Sequence, residues 1–369
     1  MKVDINFIVS SLMPYHLDRF NSLDRSFVCN AISEFEKDYF EIQKSHFNSL
    51  KNTESKNIKI HNKEKKYEDL NFFQEGIALI KSILFSPGKV IIIGLGGNLK
   101  PYNPALLFSV ILRRLLGKKI FILFNTNYSD RERFLYKEFL KLLLLSIYSG
   151  AMCSSPSSAS YLKFLGFKKR KVIPGGFNTI SISRFNANIE KPSRNQFLYV
   201  GRLSEKKNIN FLLDVYKEYR ETNPKALDLK LIGHISENSP YINHAIKIGL
   251  DKNIFLGALD DKSIVKELYK SKALLIPSKY EEWGNVVNEA VATSTPLVVS
   301  DNVIARKVLV RQFVNGIIIE SDNHEGWLHS LNELTNNEKL VSQLSVGSKN
   351  FLKLTDTNWF IKSMNQLLD

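Results

Sequence analysis

Short apolar runs alternate with amphipathic stretches along this chain. INFIVSS (5–11), FVCNAIS (27–33), KVIIIGLGG (89–97) and KKIFILFN (118–125) have the length and β-branched content of buried strands. Helical patterns lie between them. These are PYHLDRFNSL (14–23) with Pro14 at its start, FFQEGIALIKSILF (72–85), NPALLFSVILRRLLG (103–117) closed by Gly117, and a stretch over 130–149. IKIHNKEKKYEDL (58–70) mixes a short strand with a Lys-rich loop. AMCSS (151–155), the helix SASYLKFLGF (158–167) and KKRKVIPGGFN (168–178) follow, with Gly175 and Gly176 supplying backbone freedom.

The rhythm then starts again. QFLYVGRLSEKKNINFLLDVYKEY (196–219) reads as strand, tight turn and helix, with Phe211, Leu212, Val215 and Tyr219 on the apolar face. LDLKLIGHIS (227–236) is a strand and loop, NIFLGAL (253–259) a strand, IVKELYKSK (264–272) a helix and ALLIP (273–277) a strand. A helix carrying Val286, Val287, Ala290 and Val291 ends near Thr295-Pro296, and LVVS (297–300) is the next buried strand. Asn315-Gly316, just before IIIE, is a hairpin-turn signal. Trp359, Phe360 and Met364 share one face of a closing helix. Strands and helices alternating at this period predict an α/β fold with parallel, doubly wound sheets.

At 369 residues the chain suits two domains. The expected division is 1–180, 181–350 and a closing helix in 351–369. Cys29 and Cys153 show no metal-type spacing and read as free thiols of a reducing cytoplasm. MKVDINFIVSSL carries Asp4 inside its apolar run, so it reads as a first strand rather than a secretion signal. FLKLLLLSIY (139–148) and ALLFSVILRRLLG (105–117) are too short or too interrupted to span a bilayer.

The formal charge of +14 is unevenly placed. Residues 1–180 hold 27 Lys and Arg against 15 Asp and Glu, whereas 181–369 hold 24 against 22. The basic first half suits an anionic membrane surface, an acidic acceptor or nucleic acid. Plain solubility of a Lys-rich composition is the simpler reading. Nucleic acid is the weakest of these partners, because no recognition module or aromatic interleaving accompanies the charge.

Candidate chemistry concentrates in two strand–turn–helix units. In the first, Arg202 follows the strand and Lys207 opens the helix. Two cations beside a helix N-terminus make a receptor for a diphosphate. In the second, PSKYEEWGNVVNEA (277–290), Gly284 stands at the helix entrance, Glu281 in the loop and Glu289 within the helix. Amides around Trp283, Gly284, Asn285 and Val286 face an anion there. Singly, either unit is ordinary: a helix Glu is usually a solvated charge. GLGG (94–97) is not a dinucleotide fingerprint, and a plain tight turn explains it equally well.

Together, GRLSEKKN and PSKYEEWGNVVNEA resemble the donor site of family 4 glycosyltransferases. The matching residues are Gly201, Arg202, Lys207, Pro277, Ser278, Glu281, Trp283, Gly284, Glu289 and Ala290. PYHLDRFNSL resembles the opening of many bacterial members, and VIPGGFNTISISRF (172–185) the hinge segment. The resemblance covers the second half well and the first half thinly. It implies a GT-B fold, two Rossmann-like lobes with the closing helix crossing back onto the first. It also implies transfer of a sugar, with retention of configuration, from a nucleotide diphosphate, UDP being the expected one. In that scheme Arg202 and Lys207 hold the diphosphate, Glu281 the sugar and Glu289 the ribose.

Neither a metal nor another cofactor is implied, and Asp260-Asp261 reads as an exposed turn. The expected acceptor is a growing surface polysaccharide or lipid-linked glycan on the cytoplasmic side of the membrane. His16, Gly96, Gly97 and Asn127 are the first-half candidates for acceptor contact. The loop 125–130 lacks the His that many members carry, and a histidine starting a surface helix is an equally ordinary reading of His16. One departure bears on the base-binding end: Gly233-His234-Ile235 lacks the family's second glycine. A non-catalytic scaffold that only binds a nucleotide sugar is the main alternative; an epimerase or phosphorylase of the same fold is another.

Overall fold

The computed structural model describes residues 4–11, 14–23, 26–35, 57–66, 69–85, 87–94, 103–128, 133–185, 193–236 and 238–369. The chain divides into two units, Met1–Asn178 with Thr357–Asp369, and Thr179–Asp356. The first contains β1 (Ile5–Ser11), β2 (Phe27–Phe35), β3 (Ile58–Lys66), β4 (Val90–Gly94), β5 (Lys119–Phe124), β6 (Gly150–Cys153) and β7 (Lys171–Pro174). They form one sheet in the order β3-β2-β1-β4-β5-β6-β7, with every neighbouring pair parallel. The central strands β4, β5 and β6 are largely apolar because helices cover both faces.

On one face, Phe7 of β1 stacks on Phe20 of the helix Pro14–Asn21 with ring centroids 3.8 Å apart. Phe360, Met364 and Leu367 of the helix Thr357–Leu368 join the same core. On the other face, Leu79, Ile83, Leu106, Val110 and Leu162 bury against Ile8, Ile91, Ile93 and Ile122. They come from the helices Phe72–Leu84, Pro104–Leu115 and Pro156–Phe164. The helix Leu135–Leu145 belongs to the same series.

Two expectations are corrected in this unit. Residues 58–66 form a full strand, not a short strand and loop. As an edge strand β3 pairs only with β2, turning Ile58 and Ile60 inward while Lys59, Lys63 and Lys65 stay exposed. Among the described residues, the helix expected over 130–149 runs from Leu135 to Leu145, with 130–132 outside them, and Ser149 N–H then donates to the Ile120 carbonyl at 2.7 Å and starts β6. Gly175 and Gly176 adopt backbone conformations that glycine allows. Both have positive φ, and a Cβ on either would run into Trp359 or Ser363 of the C-terminal helix.

The second unit contains β8 (Gln196–Val200), β9 (Asp228–Ile232), β10 (Phe255–Gly257), β11 (Ser271–Ile276), β12 (Leu297–Ser300) and β13 (Gly316–Ile319). Their order is β10-β9-β8-β11-β12-β13, again all parallel. Ile209, Leu212, Leu213, Val215, Tyr216 and Tyr219 anchor the helix Ile209–Thr222 in a core whose largest member is Trp327. β10 is shorter than the strand expected over 253–259, because Asp251 caps a 3-10 turn at Lys252–Ile254. The hairpin signal at Asn315-Gly316 is also overruled. β13 lies parallel to β12, burying Ile317 and Ile319, and Asn315 instead closes a loop. Its Nδ2 donates to the Leu309 carbonyl at 2.8 Å and its Oδ1 accepts from Arg311 N–H at 2.9 Å.

Candidate functional site

In the second unit the strand order reverses between β8 and β11. A crevice opens at such a point beyond the carboxyl ends of the two strands. The chain leaving β8 is Gly201–Asn208, and the chain leaving β11 is Pro277–Gly284. These are the two segments that carry the candidate chemistry.

Gly201 N–H donates to the Ile232 carbonyl at 2.9 Å. A Cβ on Gly233 would overlap the Gly201 carbonyl, so the turns after β8 and β9 close only with glycine at 233. Arg202 is exposed, with its carbonyl accepting from Tyr199 Oη at 2.7 Å. A 3-10 turn at Glu205–Lys207 follows, and then Asn208 in the left-handed conformation at φ 59°. Asn208 Nδ2 donates to the Ser321 carbonyl at 2.8 Å, fixing the start of the helix Ile209–Thr222.

The two loops are stitched together. Lys279 N–H donates to the Lys206 carbonyl at 2.9 Å. Next to that bond Lys207 Nζ pairs with the Glu281 carboxylate, and both side chains are more than four-fifths buried. Glu281 is held from its other side as well: its N–H donates to the Asn302 carbonyl at 3.3 Å and its carbonyl accepts from Ile304 N–H at 3.1 Å. The Trp283 carbonyl accepts from Ala305 N–H at 3.2 Å. The ends of β8, β11 and β12 thus converge on one acid and one lysine.

Trp283 is buried, and its indole N–H donates to Asn288 Oδ1 at 2.7 Å. The ring therefore pegs the loop to the helix Asn285–Ala292. Gly284 caps that helix at φ 86°, where a Cβ would press on Glu281 Cγ at 3.1 Å. Glycine lets the acid lie across the helix mouth. Other helices have side-chain caps: Asn71, Asn103, Ser155, Ser239 and Asp260 each accept a first-turn N–H. The helices starting after β8 and β11 have none. Their first-turn amides, Asn285 and Val286 among them, are available to an anion. Val287 is fully buried, whereas Val286 is only half-buried.

Glu289 projects from the third position after Val286 in the same helix. Burial pushes its carboxyl up to about 7, with Arg184 pulling the other way. Arg184 itself pairs with Asp261. Such a carboxyl holds a proton near neutrality and can either donate or accept a hydrogen bond.

The first-half candidates are more scattered. His16 lies in the helix after β1, stacked parallel to Phe20 at 5.9 Å and edge-on to Tyr15 at 4.6 Å. Burial and the Arg19 charge push it down to about 3, so it is a neutral ring. Asn127 is buried in the loop after β5, and its carbonyl accepts from the Arg133 guanidinium. β1 and β5 are two places apart in the sheet. Gly96 and Gly97 lie outside the described residues.

Sequence reasoning missed the residues that brace the site. Lys279, Asn302 and Ser321 act through backbone groups, Asn208 reaches the Ser321 carbonyl with its side-chain amide, and Asn302 Nδ2 donates to Ser321 Oγ at 3.2 Å. Only Asn208, an αL-tolerant residue directly before a helical pattern, leaves a trace in the sequence.

Two parallel, doubly wound sheets with a charged crevice at a strand-order reversal define the GT-B class of α/β proteins. Residues 182–351 match the family described as glycosyl transferases group 1. An uncharacterized glycosyltransferase of Methanocaldococcus jannaschii is 28% identical over 42% of this chain and 42% of its own length. The capsular polysaccharide biosynthesis glycosyltransferase CapH of Staphylococcus aureus is 28% identical over 47% of this chain and 48% of its own. The chain spans half or less of the length of the curated relatives it matches. In overall fold it is similar to Anabaena HepE, solved in complex with UDP, with a TM-score of 0.74, 15% identity and 99% of both chains covered.

Proposed function

We propose that the protein is a retaining glycosyltransferase that moves a sugar from a nucleotide diphosphate, UDP in the first instance, to a growing surface polysaccharide or lipid-linked glycan on the cytoplasmic side of the membrane. The observation that carries this reading is the Lys207–Glu281 pair at the strand-order reversal of a group 1 glycosyltransferase domain. CapH, named for capsular polysaccharide biosynthesis, and HepE, solved with UDP, support the acceptor class and the nucleotide.

Breaking the anomeric C–O bond leaves negative charge on the diphosphate and positive charge on the ring. Lys207, Arg202 and the uncapped amides of Asn285 and Val286 take the first charge, and no metal ion is needed for it. Glu281 holds the sugar hydroxyls beside the electron-poor ring carbon, and Glu289 the ribose hydroxyls. The acceptor oxygen attacks from the face the diphosphate leaves, and the departing phosphate oxygen takes its proton. No protein base is required.

Nucleotide release from a panel of UDP-, GDP- and ADP-sugars tests the reading, in the presence and absence of EDTA. Lys207→Ala and Glu281→Ala each lower turnover by about 10²–10³-fold, the usual effect of removing one charged transition-state contact, with circular dichroism showing the fold retained. Full activity in both variants overturns the site. Tight UDP-sugar binding without release favours a non-catalytic scaffold.

A further inference from the structure

Among the described residues, 17 of the 21 exposed large apolar side chains lie between Phe72 and Phe164, and only four lie in the second unit. They sit on or beside the four helices that share one face of the first sheet. Soluble surfaces rarely gather so many in one place. The helix Leu135–Leu145 is turned inside out. Leu135, Phe139, Leu142 and Leu143 recur at helical spacing and are exposed, Leu135 by 89% and Phe139 by 63%, while the helix's one acidic residue, Glu138, is buried. The neighbouring helix Pro104–Leu115 repeats the motif, with Phe108, Ile111 and Leu115 at i, i+3 and i+7 all outward. Phe72 and Phe73 continue it.

Among the described residues, the exposed charges on these four helices are all basic. Residues 101–180 hold 13 Lys and Arg against three Asp and Glu. Lys81, Arg114, Lys137, Lys163 and Lys168 are exposed among the apolar side chains. The acids these helices carry are turned inward and occupied: Glu75 accepts from Asn103 Nδ2 at 2.9 Å, and Glu138 pairs with Lys141 at 2.7 Å. Lys137 lies 4.5 Å above the Phe134 ring, a cation seated on an exposed aromatic.

We infer that this helical face docks in the plane of an anionic phospholipid bilayer. Interleaved apolar and basic side chains are what such a surface binds, with apolar groups entering the headgroup boundary and cations meeting phosphate. A helix of 11 residues is about 16 Å long, far short of the roughly 30 Å hydrocarbon core, so it lies in the boundary rather than spanning it. No helix among the described residues is long and apolar enough to cross. A second copy of this chain is the competing occupant, but a face with one charge sign repels its own copy.

Co-sedimentation of the full chain with vesicles tests this without any sugar donor, so its outcome is separate from that of the transfer reading. The protein pellets with phosphatidylcholine vesicles containing phosphatidylglycerol, pellets far less with phosphatidylcholine alone, and is released by salt. Leu135→Ser with Phe139→Ser, and separately Lys137→Glu with Lys163→Glu, each lower binding to the mixed vesicles about tenfold or more. Circular dichroism confirms that both variants keep the wild-type fold. Wild type that stays in the supernatant with mixed vesicles overturns the inference. So does a dimer that the two Ser substitutions split while vesicle binding is absent.

Discussion

The two sheets are built to one plan and carry different chemistry. In each, the strand order reverses beside the unit's first strand, between β1 and β4 in one and between β8 and β11 in the other. At the second reversal sit an acid–lysine pair, uncapped helix amides and glycines that a methyl group would jam. After β1, at the first, sits a neutral histidine packed among aromatic rings. Topology therefore supplies a place, and the side chains decide what happens there. The surfaces differ too: the first unit exposes apolar and basic helices, the second hardly any large apolar groups.

Substitutions at glycine sharpen the contrast most. Gly233→Ala drives a methyl group into the Gly201 carbonyl and should cost on the order of 3 kcal/mol. Gly117→Ala, also a strained position at φ 74° but with open space around it, should cost about 1 kcal/mol. Urea unfolding of both variants measures the difference, and equal losses would mean that the turn after β9 yields. A smaller effect is expected from Trp283→Phe, which keeps the ring but leaves the fully buried Asn288 without its indole donor. The expected loss is about 1–2 kcal/mol, recovered in part by Asn288→Leu in the same chain.

The gentlest probe is pH. Glu289 has its carboxyl raised from 4.5 to about 7, so between those values the folded chain keeps a proton that the unfolded chain has lost. Its contribution is full below pH 4.5 and disappears as pH rises through 7. His16 and His61 run the other way. They are depressed from 6.5 to about 3 and about 4, so the unfolded chain takes up protons first and the first unit weakens as pH falls below 6.5. Hydrogen exchange followed peptide by peptide should show opposite trends in the two units over the range from about pH 5 to about pH 7. Glu289→Gln flattens one trend, and His16→Phe weakens the other, leaving the part that His61 contributes.

Much of this was legible in the amino-acid order because it rests on local rules. Apolar runs bounded by turns marked the strands, and Gly284 before a helical pattern marked the uncapped helix. Legibility failed where distant partners decide. Residues 58–70 read as a short strand and a Lys-rich loop because an edge strand needs only one inward stripe, here Ile58 and Ile60. Asn315-Gly316 signals a hairpin only if the next run turns back, and burial beside β12 sends it forward. Gly175 and Gly176 suggested mobility, and only the packing of Trp359 and Ser363 shows why side chains are excluded there. In the site, Lys207 and Glu281 were found separately, whereas the bond from Lys279 to Lys206 that brings them together has no side-chain signature.

The core around Phe7 and Phe20 has a consequence for how the molecule is made. That core is completed by Phe360, Met364 and Leu367, which leave the ribosome only after the whole second sheet. A chain made from its N-terminus folds by units as they emerge. Here the first sheet keeps one helical face incomplete until the helix Thr357–Leu368 is made, directly after the second unit ends at Asp356. Residues far apart in the order of synthesis thus have to meet before that core is closed.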